Sequence, residues 1–137
     1  VLVDPEIGKA GDIDTAVISL KFDNGALGII ENSRKAVYGY DQRVEVFGAK
    51  GTAMADNNTP TSMIVLNESG TIRDKPLYFF LERYEKAFIA EMQAFVDAVR
   101  ENESTAVSGT DGLAPVLIAL AAQQSLKSGK PVKVESV

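Results

Sequence analysis

The apolar residues of this sequence change their spacing once, near residue 80, and this change limits the possible folds more than any other feature. Before it, apolar and polar residues alternate, as in a strand with one buried face. After it, apolar residues recur every three or four positions, as on one face of a helix. Strands followed by helices predict an α+β fold, with an open, largely antiparallel mixed sheet and helices packed on one face.

The strand pattern is clearest in residues 13–22. One face of this stretch carries four apolar side chains, those of Ala16, Ile18, Leu20 and Phe22. Asp23-Asn24-Gly25 follows as a hairpin turn, since asparagine and glycine tolerate positive φ. Further strands are predicted at residues 26–34, 42–47, 52–55, 62–66, 71–73 and 131–134.

Two helices are predicted in the last third of the chain. The first has an apolar face formed by Leu81, Tyr84, Phe88, Met92, Phe95 and Val99. Ser108 or Thr110 is the expected N-cap of the second, which ends at Ser128-Gly129 because glycine is a common C-terminal stop. Its stretch 113–122 is apolar nearly all round, so we expect that helix to be buried on more than one side.

The bulk composition excludes several classes of function. A chain of 137 residues fits one domain and is expected to bury about two thirds of its unfolded surface around a single core. It contains no cysteine and no histidine, which excludes thiolate catalysis and the usual neutral-pH general base. A net charge of −5 argues against a nucleic-acid partner. No apolar run approaches the ~18 residues needed to span a membrane, so a cytoplasmic protein is expected.

Neither glycine pair has the spacing of a cofactor-binding turn. A dinucleotide site needs Gly-x-Gly-x-x-Gly between a strand and a helix, whereas Gly25–Gly28 and Gly48–Gly51 lie between predicted strands. Asp56-Asn57-Asn58 lacks the spaced acidic ligands of a calcium loop and is expected to be an ordinary loop. The chain is therefore predicted to hold no cofactor and no metal.

The most distinctive local feature is the segment 38–43, Tyr-Gly-Tyr-Asp-Gln-Arg, at the entry to a predicted strand. Tyrosine suits a polyhydroxylated ligand because it offers an apolar ring and a hydroxyl that both donates and accepts. An ordinary aromatic loop packed on a neighbour fits the same residues equally well, so this pattern alone leaves both interpretations open.

Segments spread over nearly the whole chain carry a family resemblance in their order and spacing. They are residues 12–16, 22–25, 38–48, 57–60, 79–84, 107–112 and 125–132. Together they resemble the C-terminal domain of the glucose–fructose oxidoreductase/inositol dehydrogenase/MocA family, and its inositol 2-dehydrogenase branch in particular. The resemblance implies that residues 1–137 are a substrate-binding and oligomerisation domain, and that an N-terminal Rossmann domain is absent from this chain. The apolar start without an initiator Met likewise looks like a chain cut from a longer one.

The resemblance further implies an intact enzyme that uses NAD or NADP, acts on inositol or a related polyol or sugar, and forms a homo-oligomer, either a dimer or a tetramer. The family's catalytic lysine and histidine belong to parts that precede this sequence, so no catalytic residue is expected in it. Asp74-Lys75-Pro76 and Gly129-Lys130-Pro131 lie in the wrong place in the order of elements to supply that lysine.

Two residues are implied to bind substrate. Tyr40 matches the tyrosine that contacts the polyol in inositol dehydrogenases, and Arg83 lies in a segment close to the family's pocket. Phe88 falls where relatives often have tyrosine, so a role for that hydroxyl does not transfer. Two alternatives stay open at this point, namely a free-standing oligomerisation or ligand-binding module, and a family dehydrogenase for another sugar.

Overall fold

The computed structural model describes residues 3–135, so Val1 and Leu2, part of the apolar start noted above, lie outside the described residues. Six strands precede the two long helices in this part of the chain, and the α+β class is confirmed. In chain order the elements are α1 (Pro5–Lys9), β1 (Thr15–Lys21), β2 (Leu27–Ser33), β3 (Val44–Gly48), β4 (Gly51–Ala55), β5 (Ile64–Asn67), β6 (Gly70–Arg73), α2 (Phe80–Glu101) and α3 (Gly109–Ser128).

The six strands form three antiparallel hairpins, each built from two neighbours in sequence, and no ladder joins one hairpin to another within residues 3–135. β1 pairs with β2, β3 with β4, and β5 with β6. The predicted glycine turns are confirmed. The Phe22 N–H donates to the Ala26 carbonyl at 2.9 Å across the first turn, and Gly48 lies opposite Gly51 at the tip of the second hairpin.

The first hairpin shows the predicted alternation of faces. Ala16, Ile18 and Leu20 are half-buried on one face of β1, whereas Val17 on the other face is 61% exposed. On β2 the apolar side chains of that second face are more open still, with Leu27 79% and Ile29 76% exposed. One face of the hairpin is thus partly covered by its own chain, and the other is not.

Local chemistry sets both ends of α3 where the sequence predicts them. At the start, Ser108 and Asp111 form a capping box, in which the Ser108 N–H donates to the Asp111 carboxylate at 2.8 Å. The Ser108 hydroxyl and N–H lower the pKa of Asp111. At the end, Gly129 adopts φ 67° and its N–H donates to the Ser125 carbonyl at 2.8 Å. No helix in the described residues is both long and apolar enough to cross a membrane.

The strand predicted at residues 131–134 is absent, because a strand needs a neighbour for its N–H and C=O groups and none pairs with this segment among the described residues.

The prediction of a single core is also wrong for this chain. The structure divides into two compact units, residues up to Lys86 and residues from Ala87 on, and none of the described hydrophobic side chains in either is buried. Helix α3 is not buried on several sides, since Val116 is 51% and Leu120 55% exposed. The elements form here with their apolar faces uncovered. This explains why neither the single core nor the burial of helix α3 on several sides is found.

Candidate functional site

The segment that joins β2 to β3 contains the only buried residue among residues 3–135. Gly39 is buried there, with φ 144°, a value that favours glycine. A Cβ atom at this position would lie 2.6 Å from the Pro76 carbonyl oxygen and 3.0 Å from the Pro76 Cβ. A side chain is therefore excluded at residue 39 by both the backbone conformation and the contact with Pro76.

Backbone hydrogen bonds tie this segment to two others. The Tyr40 N–H donates to the Leu77 carbonyl at 2.8 Å, and the Leu77 N–H donates to the Asn58 carbonyl at 3.0 Å. Pro76 and Leu77 thus lie between the loop that contains Tyr40 and the loop that contains Asn58. The backbone of Tyr40 is fixed directly, which the sequence pattern did not predict.

The Asp41 carboxylate is the centre of a side-chain network. Arg43 donates to it with both Nε, at 2.8 Å to Oδ1, and Nη2, at 2.9 Å to Oδ2. Asn57 Nδ2 donates to Oδ1 at 2.7 Å, and the Tyr38 hydroxyl donates to Oδ2. The Asn57 amide oxygen in turn accepts the Gln42 N–H at 2.8 Å. We call Asp41, Tyr38, Arg43 and Asn57 the Asp41 network.

These donors determine the charge of Asp41. Hydrogen bonds from Arg43, and then from Tyr38 and Asn57, hold its pKa well below the ordinary value of 3.8. The ionised carboxylate therefore stabilises the loop above about pH 4, and this contribution is lost as the pH falls toward the lowered pKa. The same contact raises the pKa of Tyr38, because ionising the phenol would remove the hydrogen bond it donates and place a second negative charge beside Asp41.

Tyr40 is held against the start of helix α2. Its ring meets that of Tyr84 edge to face, with centroids 5.5 Å apart and planes at 85°, a favourable geometry for an aromatic pair. Burial, followed by a hydrogen bond with Tyr40, raises the pKa of Tyr84. Tyr40 remains 36% exposed, so part of it is open to a ligand.

Arg83 lies on the other ring of this pair. Its guanidinium carbon is 5.4 Å from the centroid of the Tyr84 ring, within cation–π range. Its Nε is buried and has no hydrogen-bond acceptor among residues 3–135, which is unusual for a buried donor. A phenol hydroxyl and a guanidinium group suit a neutral polyol, whose hydroxyls both donate and accept.

The structure thus brings the two predicted substrate-binding residues, Tyr40 and Arg83, to the same tyrosine. Sequence reasoning missed three contributors. Tyr84 was assigned to the apolar helix face, Asn57 to an ordinary loop, and Pro76 to a segment without a role. Asn57 was the most detectable, since it lies in segment 57–60, one of those that carry the family resemblance.

A nicotinamide cofactor does not fit the glycine turns of this chain. The pairs Gly25–Gly28 and Gly48–Gly51 lie in hairpins, and neither opens a helix whose N-terminus could receive a pyrophosphate. Among the described residues no group of three or more acidic side chains is placed to hold a metal ion.

Comparison with known proteins identifies the family. A family model described as the C-terminal alpha/beta domain of an oxidoreductase family matches residues 3–134. The chain belongs to this oxidoreductase family. A myo-inositol 2-dehydrogenase of Thermotoga maritima is 53% identical over 137 residues, which are 100% of this chain and 41% of that protein. The chain therefore spans about two fifths of the length of this relative.

Solved structures of this family agree with the fold. A probable dehydrogenase from Thermotoga maritima superposes with a TM-score of 0.92 at 52% identity, covering 98% of this chain and 40% of that one. A scyllo-inositol dehydrogenase from Lactobacillus casei, solved with NAD(H) and scyllo-inositol bound, gives a TM-score of 0.82 at 31% identity, covering 92% and 37%. The predicted family and inositol dehydrogenase branch are confirmed.

Proposed function

We propose that this chain is the substrate-side part of an NAD-dependent inositol dehydrogenase, which converts a ring hydroxyl of inositol or a closely related polyol to a ketone. The observation that carries the proposal is the placement of Tyr40, which is fixed through its backbone, braced by Tyr84 and still 36% exposed. Similarity to a myo-inositol 2-dehydrogenase and to a structure containing scyllo-inositol and NAD(H) supports the substrate class and the choice of NAD.

The chain's own residues bind and orient the polyol in this proposal. The Tyr40 hydroxyl exchanges a hydrogen bond with one substrate hydroxyl, and Arg83 supplies a donor to another. A nicotinamide bound by another part of the enzyme would supply the hydride acceptor, and the catalytic lysine and histidine that the family resemblance places ahead of this sequence would take the hydroxyl proton. None of these roles requires Asp41 to act as a base, because Arg43, Tyr38 and Asn57 already occupy its oxygens.

The uncovered apolar surface supports a proposal about assembly. Val17, Leu27 and Ile29 share the open face of the β1–β2 hairpin, and exposed apolar groups of this kind are typical of surfaces that pack against another chain or domain. We propose that residues 1–137 form a substrate-binding and oligomerisation domain of a dimer or tetramer. The same exposure disfavours a free-standing module. A cytoplasmic location stays a prediction.

The role of Tyr40 is tested in the full-length enzyme by Tyr40→Phe, which deletes one hydroxyl and keeps the ring. A hydrogen bond to an uncharged hydroxyl contributes about 0.5–1.5 kcal/mol, so kcat/KM for myo-inositol should fall about 2–13-fold. The loss should appear mainly in KM if the contact is equally strong in the ground and transition states. Steady-state rates of NAD reduction measure both constants.

Tyr38→Phe is not a suitable control, because the Tyr38 hydroxyl donates to Asp41 and so belongs to the Asp41 network. Tyr78→Phe is the better control, because this substitution makes the same chemical change outside that network, at a residue that is 77% exposed. An unchanged Tyr40→Phe enzyme, or equal losses in Tyr40→Phe and Tyr78→Phe, would contradict a substrate contact at Tyr40.

A further inference from the structure

The carboxylate next to Tyr40 in sequence is saturated with hydrogen bonds. A carboxylate has about four acceptor sites, and Asp41 receives four donated bonds, two from Arg43, one from Asn57 and one from Tyr38. Its side chain is only 15% exposed. Asp41 therefore has no free lone pair for a substrate proton or a cation, and its contribution has to be made through the residues it holds.

Two of the residues that bind the Asp41 carboxylate flank Tyr40 in the sequence. Tyr38 and Arg43, on either side of Tyr40, converge on the same carboxylate, which closes the chain into a tight loop. Asn57, from a separate segment, binds the Asp41 carboxylate and the Gln42 N–H with the two ends of one amide. The loop is thereby fixed to the rest of the first unit immediately after Tyr40.

A backbone anchor completes the arrangement before Tyr40. Gly39 packs against Pro76, and the Tyr40 N–H donates to the Leu77 carbonyl. The backbone that carries the Tyr40 side chain is therefore fixed both before and after Tyr40. Binding groups held in this way lose little freedom when a ligand arrives, which favours affinity.

We infer that Asp41 is a positioning residue, which holds the loop around Tyr40 so that the Tyr40 hydroxyl is aimed at the polyol. This inference rests on the proposed substrate contact of Tyr40. The Asp41 carboxylate, bound by Arg43 and Asn57, thus serves substrate orientation and has no role in proton transfer.

The test is a double-mutant cycle in the full-length enzyme, with Asp41→Asn, Tyr40→Phe and the double variant assayed on myo-inositol. Asp41→Asn keeps the shape but removes the charge and replaces one acceptor by a donor. Alone, it should lower kcat/KM about 2–13-fold, the range of the hydroxyl through which it acts. Added to Tyr40→Phe, it should cost less than about twofold further, because residues that act through one another are not additive.

Asp56→Asn is the matched control, because it makes the same charge change near Arg43, while the Asp56 carboxylate accepts the backbone N–H of Asn57 and none of the side-chain donors that bind Asp41 in the described residues. It should leave kcat/KM unchanged. If Asp41→Asn does not fold, Asn57→Ala replaces it in the cycle with the same expectation, since it removes one donor to Asp41 and the acceptor for Gln42.

The outcomes distinguish the positioning role of Asp41 from the proposed contact between Tyr40 and the polyol. If Tyr40→Phe lowers kcat/KM but Asp41→Asn does not, the positioning role is overturned and the Tyr40 contact stands. The same holds if the two losses in kcat/KM are additive in the double variant. If Tyr40→Phe leaves kcat/KM unchanged, the Tyr40 contact and the positioning role are both overturned. A lower kcat/KM for Asp41→Asn in that case shows that Asp41 acts on something other than Tyr40. A shared, non-additive loss supports the inference.

Discussion

Replacing Gly39 by alanine is expected to lower kcat/KM of the full-length enzyme for myo-inositol by about 100-fold, the cost of a displacement of about 1 Å in a substrate-positioning group. The new Cβ would lie 2.6 Å from the Pro76 carbonyl oxygen, so the loop has to move. Tyr40 is the next residue and moves with it. The free energy of unfolding should also fall, by about 1–3 kcal/mol for a non-glycine residue at this φ.

Gly51 provides a closely matched control for that substitution. Its φ of 142° is nearly the same as the 144° of Gly39, but a Cβ at Gly51 would meet nothing within 4 Å. Gly51→Ala should therefore show the backbone strain in thermal or chemical unfolding without the loss of kcat/KM. Equal activity losses in the two variants would mean that contact with Pro76 does not position Tyr40.

Truncating Phe95 is expected to destabilise the full-length enzyme by about 3–5 kcal/mol, the usual cost of removing a buried aromatic ring. In this chain the Phe95 side chain is 53% exposed on helix α2. The expectation therefore extends the proposal about assembly to helix α2, whose apolar face would be covered in the intact enzyme. Chemical denaturation of the intact protein measures the effect.

Glu85→Ala, at an exposed position of the same helix, is the comparison and should change the free energy of unfolding by no more than about 0.5 kcal/mol. A Phe95→Ala cost as small as that of Glu85→Ala would show that the ring stays in water in the intact enzyme. The exposed apolar face of helix α2 would then not be explained by contact with another part of the intact enzyme.

Elements with local causes were predictable from the sequence. Ser108 and Gly129 set the ends of α3 through hydrogen bonds to residues three and four positions away, and the turn at Gly25 closes a hairpin between adjacent strands. Elements that need a distant partner were not. Residues 131–134 pair with no other described segment, and none of the described hydrophobic side chains is buried in a core.

The site divides in the same way. The motif around Tyr40 was visible because its residues are consecutive, and the family resemblance, not the pattern itself, singled out Tyr40. The link from Asp41 to Asn57 crosses 16 positions, and the packing of Gly39 on Pro76 crosses a longer interval still. Neither follows from spacing or composition, since both depend on how two loops meet in space.

A crystal structure of the full-length enzyme with myo-inositol and NAD is the most direct test of the proposed contact between Tyr40 and the polyol. We expect the Tyr40 hydroxyl oxygen to lie within about 3.0 Å of an inositol oxygen, a normal O–H···O distance. The ring of Tyr84 should still brace Tyr40, and Asp41 should be turned away from the ligand. An inositol ring with no oxygen within hydrogen-bonding distance of Tyr40 would contradict the proposed contact, and one bound directly by Asp41 would contradict the positioning role of Asp41.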